Sequence, residues 1–131
     1  MDARRSPIRS PLISIIDDDL SVRRSTRRLL HSAGLRAEVF ASAEGFLTSG
    51  RLEETACLIL DLRMPGMNGL QLQQRLAETQ EPFPIIFLTA YSSAAEERQA
   101  LQAGAFQFLK KPASKEVLLL AIRNALKTSS R

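Results

Sequence analysis

Four short apolar runs in this chain each end in residues able to do chemistry. Leu12–Ile16 ends in Asp17-Asp18-Asp19, Ala56–Leu60 in Asp61, Ile85–Leu88 in Thr89, and Ala105–Leu109 in Lys110-Lys111. Carboxylates gathered within a few ångströms repel one another, and the repulsion raises pKa unless a cation intervenes. Oxygen ligands carrying strong negative charge select a hard divalent ion, and Mg²⁺ with retained waters is the expected one. A lysine and a hydroxyl facing such a cluster suit a phosphoryl group, whose charge they neutralise and whose oxygens they hydrogen-bond. Each residue taken alone also has a plain structural reading. An aspartate after a strand commonly caps the next helix, which is the expectation for Asp19. A threonine at a strand end is ordinarily structural, and a lysine before a final helix is ordinarily solvated. The weight lies in four successive strand ends with complementary chemistry.

The elements that must position these residues are readable from periodicity. A fifth apolar run, Ala37–Phe40, joins the other four, and amphipathic stretches with a period near 3.6 lie between them. In the first stretch Val22, Thr26, Leu29, Leu30 and Ala33 share a face flanked by Arg23, Arg24, Arg27 and Arg28, and Gly34 closes it. The second opens at Ser42 and ends near Gly50. The third runs from about Leu70 to Glu78, and Pro82 and Pro84 punctuate the segment after it. The fourth spans roughly Ala94–Ala103 before Gly104, and the last begins after Ser114 and carries Val117, Leu118, Ala121, Ile122 and Ala125. Strands alternating with helices imply right-handed βαβ units and an α/β fold: a flavodoxin-like, doubly wound five-stranded parallel sheet with helices on both faces. With strand order 2-1-3-4-5, the chemistry-bearing ends meet at the carboxyl edge of the sheet, where such folds bind ligands.

Composition narrows the function classes. The 131 residues are 44% hydrophobic and 24% charged, as expected of one globular domain. The formal charge of +4 is peripheral: residues 1–11 carry +2 and residues 110–131 carry +5, which leaves −3 between them. The chain has seven aromatic residues and neither an RNA-recognition aromatic pattern nor zinc-finger spacing, so nucleic-acid binding by the chain itself is not expected. The single cysteine, Cys57, excludes an internal disulfide and a cysteine-based zinc cluster. No apolar run has the length of a membrane span, and a cytoplasmic protein is expected. The expected organisation is a basic, flexible tail over 1–11, a domain over 12–128, and a tail or linker start over 129–131.

These motifs resemble the response-regulator receiver domain of two-component signalling. The resemblance rests on Ile15-Ile16-Asp17-Asp18-Asp19, on Leu60-Asp61-Leu62-Arg63-Met64-Pro65-Gly66-Met67-Asn68-Gly69, on Phe87-Leu88-Thr89-Ala90 and Gly104-Ala105, and on Phe108-Leu109-Lys110-Lys111-Pro112. Spacing agrees as well, with 28 residues from Asp61 to Thr89 and 22 from Thr89 to Lys111. The resemblance implies that Asp61 accepts a phosphoryl group from a sensor histidine kinase or a histidine phosphotransfer protein. It implies Mg²⁺ held directly by Asp18, through water by Asp17, and by Asp61 and the main-chain carbonyl of Arg63. Lys111 would pair with the phosphoryl group, Thr89 would donate its hydroxyl to it, and Phe108 would be the aromatic that changes rotamer. A cis Lys111–Pro112 bond is implied too. The face of the fourth helix, fifth strand and fifth helix would then switch on phosphorylation and support a homodimer. Asp61-Leu62-Arg63-Met64-Pro65 and Phe40-Ala41-Ser42-Ala43-Glu44 are similar to the nitrogen-fixation-type transcription regulators, which reach DNA through a separate helix-turn-helix output domain.

Weaker signals leave alternatives. Arg63 and Tyr91, two residues after Asp61 and Thr89, could shield the phosphoryl group from water or could be exposed loop residues. The arginines of the first helix could meet an acidic kinase or phosphotransfer domain, or simply face solvent. His31 reads as a surface histidine, Cys57 as a buried small hydrophobe, and Met64 and Met67 as loop packing. Ala113 replaces the Phe found in many relatives, which predicts looser packing at that turn. Asp17-Asp18-Asp19-Leu20-Ser21 also resembles the opening of aspartyl-phosphate phosphatases, with Asp17 as nucleophile and Asp19 as acid/base. Those enzymes need a cap and a later acidic pair, for which the chain has little room. A receiver-like interaction module that works without phosphorylation is the other alternative, although no expected site residue is missing.

Overall fold

A computed structural model of the chain describes residues 10–79 and 83–128. The basic leader up to residue 9, Pro82 and the tail over 129–131 lie outside the described residues. Five strands, β1 (Leu12–Ile16), β2 (Arg36–Phe40), β3 (Thr55–Leu60), β4 (Ile85–Thr89) and β5 (Gln107–Lys110), alternate with five helices, α1 (Leu20–Ser32), α2 (Ala43–Leu47), α3 (Gly69–Ala77), α4 (Ala94–Gln102) and α5 (Lys115–Thr128). All strand pairs are parallel, in the order β2-β1-β3-β4-β5. Strand order therefore reverses between β1 and β3, the switch point at which α/β sheets bind ligands.

Because successive side chains of a strand face opposite ways, the apolar strands feed two cores. On one face Ile13, Ile15, Cys57, Ile59, Ile86 and Leu88 pack against Leu30 of α1 and against Leu118, Ala121, Ile122 and Ala125 of α5. On the other face Ile16, Leu58, Leu60, Ile85 and Phe87 pack against Phe46 of α2, Leu72 and Leu76 of α3, and Ala100 of α4. Cys57 is fully buried, and burial pushes its thiol up to about 12. Met64 and Met67 pack into or against the second core, and His31 is exposed. Ala113 packs against the first core despite its small size.

Local caps set where the helices start. Asp19 accepts from the backbone N–H groups of Ser21 and Val22, Ser42 from Gly45, and Ser114 from Val117. Asn68 with Gln71, and Ser93 with Glu96, form reciprocal capping boxes on α3 and α4. Four strands differ in their bounds from the expected runs, and β2 and β3 each begin one residue earlier, at Arg36 and Thr55. β5 begins at Gln107, not Ala105, because the Ala105 N–H closes α4 by donating to the Ala100 carbonyl. β4 continues to Thr89, which pairs with Lys110.

Candidate functional site

Register brings the charged strand ends together. Ile16 lies beside Leu60, and the Asp61 N–H donates to the Ile16 carbonyl at 3.0 Å, so Asp17 and Asp61 emerge side by side. Thr89 pairs with Lys110, and the Lys111 N–H donates to the Thr89 carbonyl at 2.9 Å, so alternation aims Lys111 toward the edge while Lys110 is exposed. The Lys111–Pro112 bond is cis. Asp17, Asp18, Asp19, Asp61, Arg63, Thr89, Ala90, Tyr91 and Lys111 line one cavity of about 190 Å³. A larger open depression of about 630 Å³ beside α3, lined by Gly66, Met67, Gln71, Gln74, Arg75 and Glu78, gathers no comparable chemistry.

Asp17, Asp18 and Asp61 each offer a carboxylate oxygen, and these oxygens lie within 4.8 Å of one another. Asp17 and Asp61 are buried and Asp18 is exposed. Lys111 Nζ donates to Asp17 Oδ2 at 2.6 Å and reaches Asp61 Oδ2 at 3.5 Å. Burial raises the Asp17 carboxyl above its ordinary value, and the bond from Lys111 does not cancel that rise. Burial pulls the Lys111 ammonium down, but the hydrogen bond and charge of Asp17, with the charge of Asp61, outweigh it and hold Lys111 above its ordinary value. The site is thus a cluster of oxygen donors with one cation already inside it.

The surrounding loops hold this arrangement. Asp17 Oδ1 accepts the Asp19 N–H at 2.9 Å, and Arg23 donates to the Asp17 carbonyl at 2.9 Å, which gives one of the four α1 arginines a structural task. The Arg63 N–H approaches Asp61 Oδ1 at 3.4 Å. Gly69 must lack a side chain, since a Cβ there would stand 2.5 Å from the Asp61 carbonyl oxygen and 3.0 Å from the Phe87 ring. Phe108 is half-buried and stacks on Phe87 with centroids 5.5 Å apart.

Of the residues expected at the site from sequence, Asp17, Asp18, Asp61, Arg63, Thr89 and Lys111 line the cavity, whereas Phe108 packs on Phe87 against the second core. The ring of Tyr91 does not cover the cluster: Tyr91 is 78% exposed and contributes its carbonyl, which the Thr89 hydroxyl and Arg63 Nε approach at 3.4 Å. Arg63 instead turns outward, and its Nη2 pairs with Glu96 on α4 at 2.6 Å. That pair and the acceptance of the Met67 N–H by Glu44 at 3.0 Å were not foreseen from sequence. The capping-box spacing Ser93-x-x-Glu96 would have placed Glu96 at the first turn of α4, beside the cluster.

The sequence matches the response regulator receiver domain over residues 13–123. The chain belongs to that family. It is 45% identical over 116 residues to the response regulator protein TmoT of Ectopseudomonas mendocina, a match covering 88% of this chain and 53% of that protein. The transcriptional regulatory protein FixJ of Bradyrhizobium diazoefficiens is 36% identical over 115 residues, covering 88% of this chain and 56% of FixJ, in keeping with the expected kinship to nitrogen-fixation-type regulators. Among solved structures, response regulator StyR superposes with a TM-score of 0.85 at 42% identity, covering 93% of this chain and 62% of that one. FixJ-N superposes with a TM-score of 0.85 at 30% identity, covering 95% and 99%. The chain spans about half the length of the curated relatives it matches. It is therefore a receiver domain of a two-component response regulator, a regulatory module and not an enzyme in the ordinary sense. No described helix is long and apolar enough to cross a membrane.

Proposed function

We propose that Asp61 is the phosphoacceptor, taking its phosphoryl group from a sensor histidine kinase or a histidine phosphotransfer protein. The observation that carries this reading is a buried carboxylate pair with a lysine inside it, at the sheet's switch point. In the transfer an Asp61 carboxylate oxygen attacks phosphorus, the phosphorus–nitrogen bond to the donor histidine breaks, and the electron pair returns to the imidazole. Lys111 and the Thr89 hydroxyl are the groups that neutralise and hydrogen-bond the transferred oxygens.

The donor set fits Mg²⁺, since it consists of oxygens alone and Asp18 remains exposed to share an ion with waters. Asp18 would bind directly, Asp17 through water, and Asp61 and the Arg63 carbonyl would complete the protein's share. The ion supplies charge neutralisation for the attacking and transferring oxygens.

An aspartyl phosphate adds about −1.5 to −2 charge at the sheet edge. Thr89 moves toward it, Phe108 turns into the space released, and the face of α4, β5 and α5 is remodelled for homodimerisation. Leu101, Val117 and Leu120, exposed on α4 and α5, support that use of the face. The domain is residues 12–128, working in the cytoplasm, with transcriptional output through a separate domain. Spontaneous hydrolysis of the acyl phosphate resets the switch.

The test is incubation with acetyl phosphate and Mg²⁺, followed by intact-mass measurement and borohydride trapping of the modified residue. The expected result is one phosphoryl group on Asp61, abolished in Asp61→Asn and by chelation. Label on Asp17 would overturn it in favour of the phosphatase-like reading, and an unchanged mass in favour of a module that works without phosphorylation.

A further inference from the structure

Arg63 stands on the boundary between two hollows. It lines the cavity of about 190 Å³ that holds Asp61, and with Met64, Pro65 and Glu96 it also lines a depression of about 380 Å³ between the loop after β3 and α4. Its main-chain N–H approaches Asp61 Oδ1 at 3.4 Å, while its guanidinium is held elsewhere. Nε approaches the Tyr91 carbonyl at 3.4 Å, and Nη2 donates to Glu96 Oε1 at 2.6 Å. One edge of the guanidinium thus ties the loop of Asp61 both to the loop before α4 and to α4 itself. Glu96 Oε1 also accepts the Ser93 N–H at 2.9 Å, so departure of Arg63 would leave the cap of α4 in place.

The Arg63 side chain is 57% exposed, and ion pairs so exposed hold weakly. A phosphoryl group on Asp61 would bring about −1.5 to −2 charge and three acceptor oxygens, against the single charge of Glu96. A guanidinium meets such a group through two parallel hydrogen bonds. We propose that Glu96 is a positioning residue: it keeps the Arg63 guanidinium off the reacting centre until a phosphoryl group on Asp61 draws it away, and that exchange unties α4 from the loop of Asp61. The inference rests on Asp61 as the phosphoacceptor. The Thr89 hydroxyl approaches the same Tyr91 carbonyl at 3.4 Å, so Thr89 and Arg63 leave one shared anchor for one shared target.

The experiment uses the isotopically labelled full chain, loaded with acetyl phosphate and Mg²⁺. It reads the Arg63 Nε–H signal in nitrogen–proton spectra, assigned by its loss in Arg63→Met. Glu96→Gln removes the charge and keeps the capping box, since glutamine serves that position as well as glutamate does. Before loading, the Arg63 signal of Glu96→Gln is expected to stand apart from that of the unaltered chain. After loading, both are expected to shift to one common position, because Glu96 no longer holds the group. Loading is also expected to shift the backbone amides of Glu97 to Ala100, and Arg63→Met to shift them in the same direction without loading. An Arg63 signal that stays put on loading, or that still distinguishes the two chains afterwards, overturns the proposal. Intact mass reports the phosphoryl group separately. A chain that gains it while Arg63 keeps to Glu96 defeats this inference and leaves the role of Asp61 standing, whereas a mass that does not rise defeats both.

Discussion

The layer of α1 and α5 meets the sheet with a continuous apolar surface, whereas the layer of α2, α3 and α4 meets it with interruptions. In the first, α5 alone inserts four buried residues, Leu118, Ala121, Ile122 and Ala125. In the second, α4 buries only Ala100, Gln73 places an amide inside the packing, and Phe108 is half-buried. The side-chain fastenings of α4 to α3 and to the loop before α3 include a hydrogen bond from the Gln73 amide to the Ala100 carbonyl and an exposed ion pair, Arg63–Glu96. Densely packed interiors resist displacement, while elements with few buried apolar contacts open or shift at low free energy. The lesson is one of placement: the proposed switching face joins the helix least committed to the core, α4, to α5, which buries four residues in it.

The contrast breaks most directly under matched truncations. Leu30→Ala, in the continuous layer, is expected to lower unfolding free energy in urea by about 3–5 kcal/mol, while Leu76→Ala, beside an existing cavity, is expected to cost about 2–3 kcal/mol. Equal losses would end the distinction between the layers. The charged edge sharpens it next. Burial raises the folded-state pKa of Asp17, so its contribution to stability is fully present below the ordinary carboxylate range, about 4, and is lost as pH rises through the raised value. Without metal, Asp17→Asn should therefore weaken the fall of the urea midpoint as pH rises from about 4 toward 7. The smallest effect belongs to the α4 fastening. A double-mutant cycle on Arg63→Ala and Glu96→Ala should give a coupling of about 0.2–1 kcal/mol that shrinks as salt is added. A larger, salt-insensitive coupling would make α4 as firmly held as α5.

Much of this architecture was legible because its signals are local. Strand runs such as Cys57-Leu58-Ile59-Leu60 are apolar on both faces, and Asp19, Ser42 and Ser114 cap helices through bonds spanning two or three residues. The site was legible for the same reason: each of its groups stands directly after a strand, and parallel register does the rest. What escaped depends on contacts between distant segments. Gln73 sits on a helix whose pattern would leave a polar residue in solvent, and only the Ala100 carbonyl, 27 residues on, explains its burial. Arg63 and Glu96 are 33 residues apart, and Glu44 and Met67 are 23 apart. The start of β5 was displaced by the way α4 ends, a competition for the Ala105 N–H that strand periodicity does not register.

The unequal reach of Lys111 toward its two carboxylates carries one more consequence. Its ammonium sits 2.6 Å from Asp17 but 3.5 Å from Asp61, whose other oxygen accepts a long contact from the Arg63 N–H at 3.4 Å. A tightly solvated oxygen is a sluggish nucleophile, because its electron density is already spoken for. If Asp61 is the acceptor as proposed, a lysine that grips the neighbour and only loosely attends Asp61 would steady the negative field without tying up the oxygen that forms the new bond.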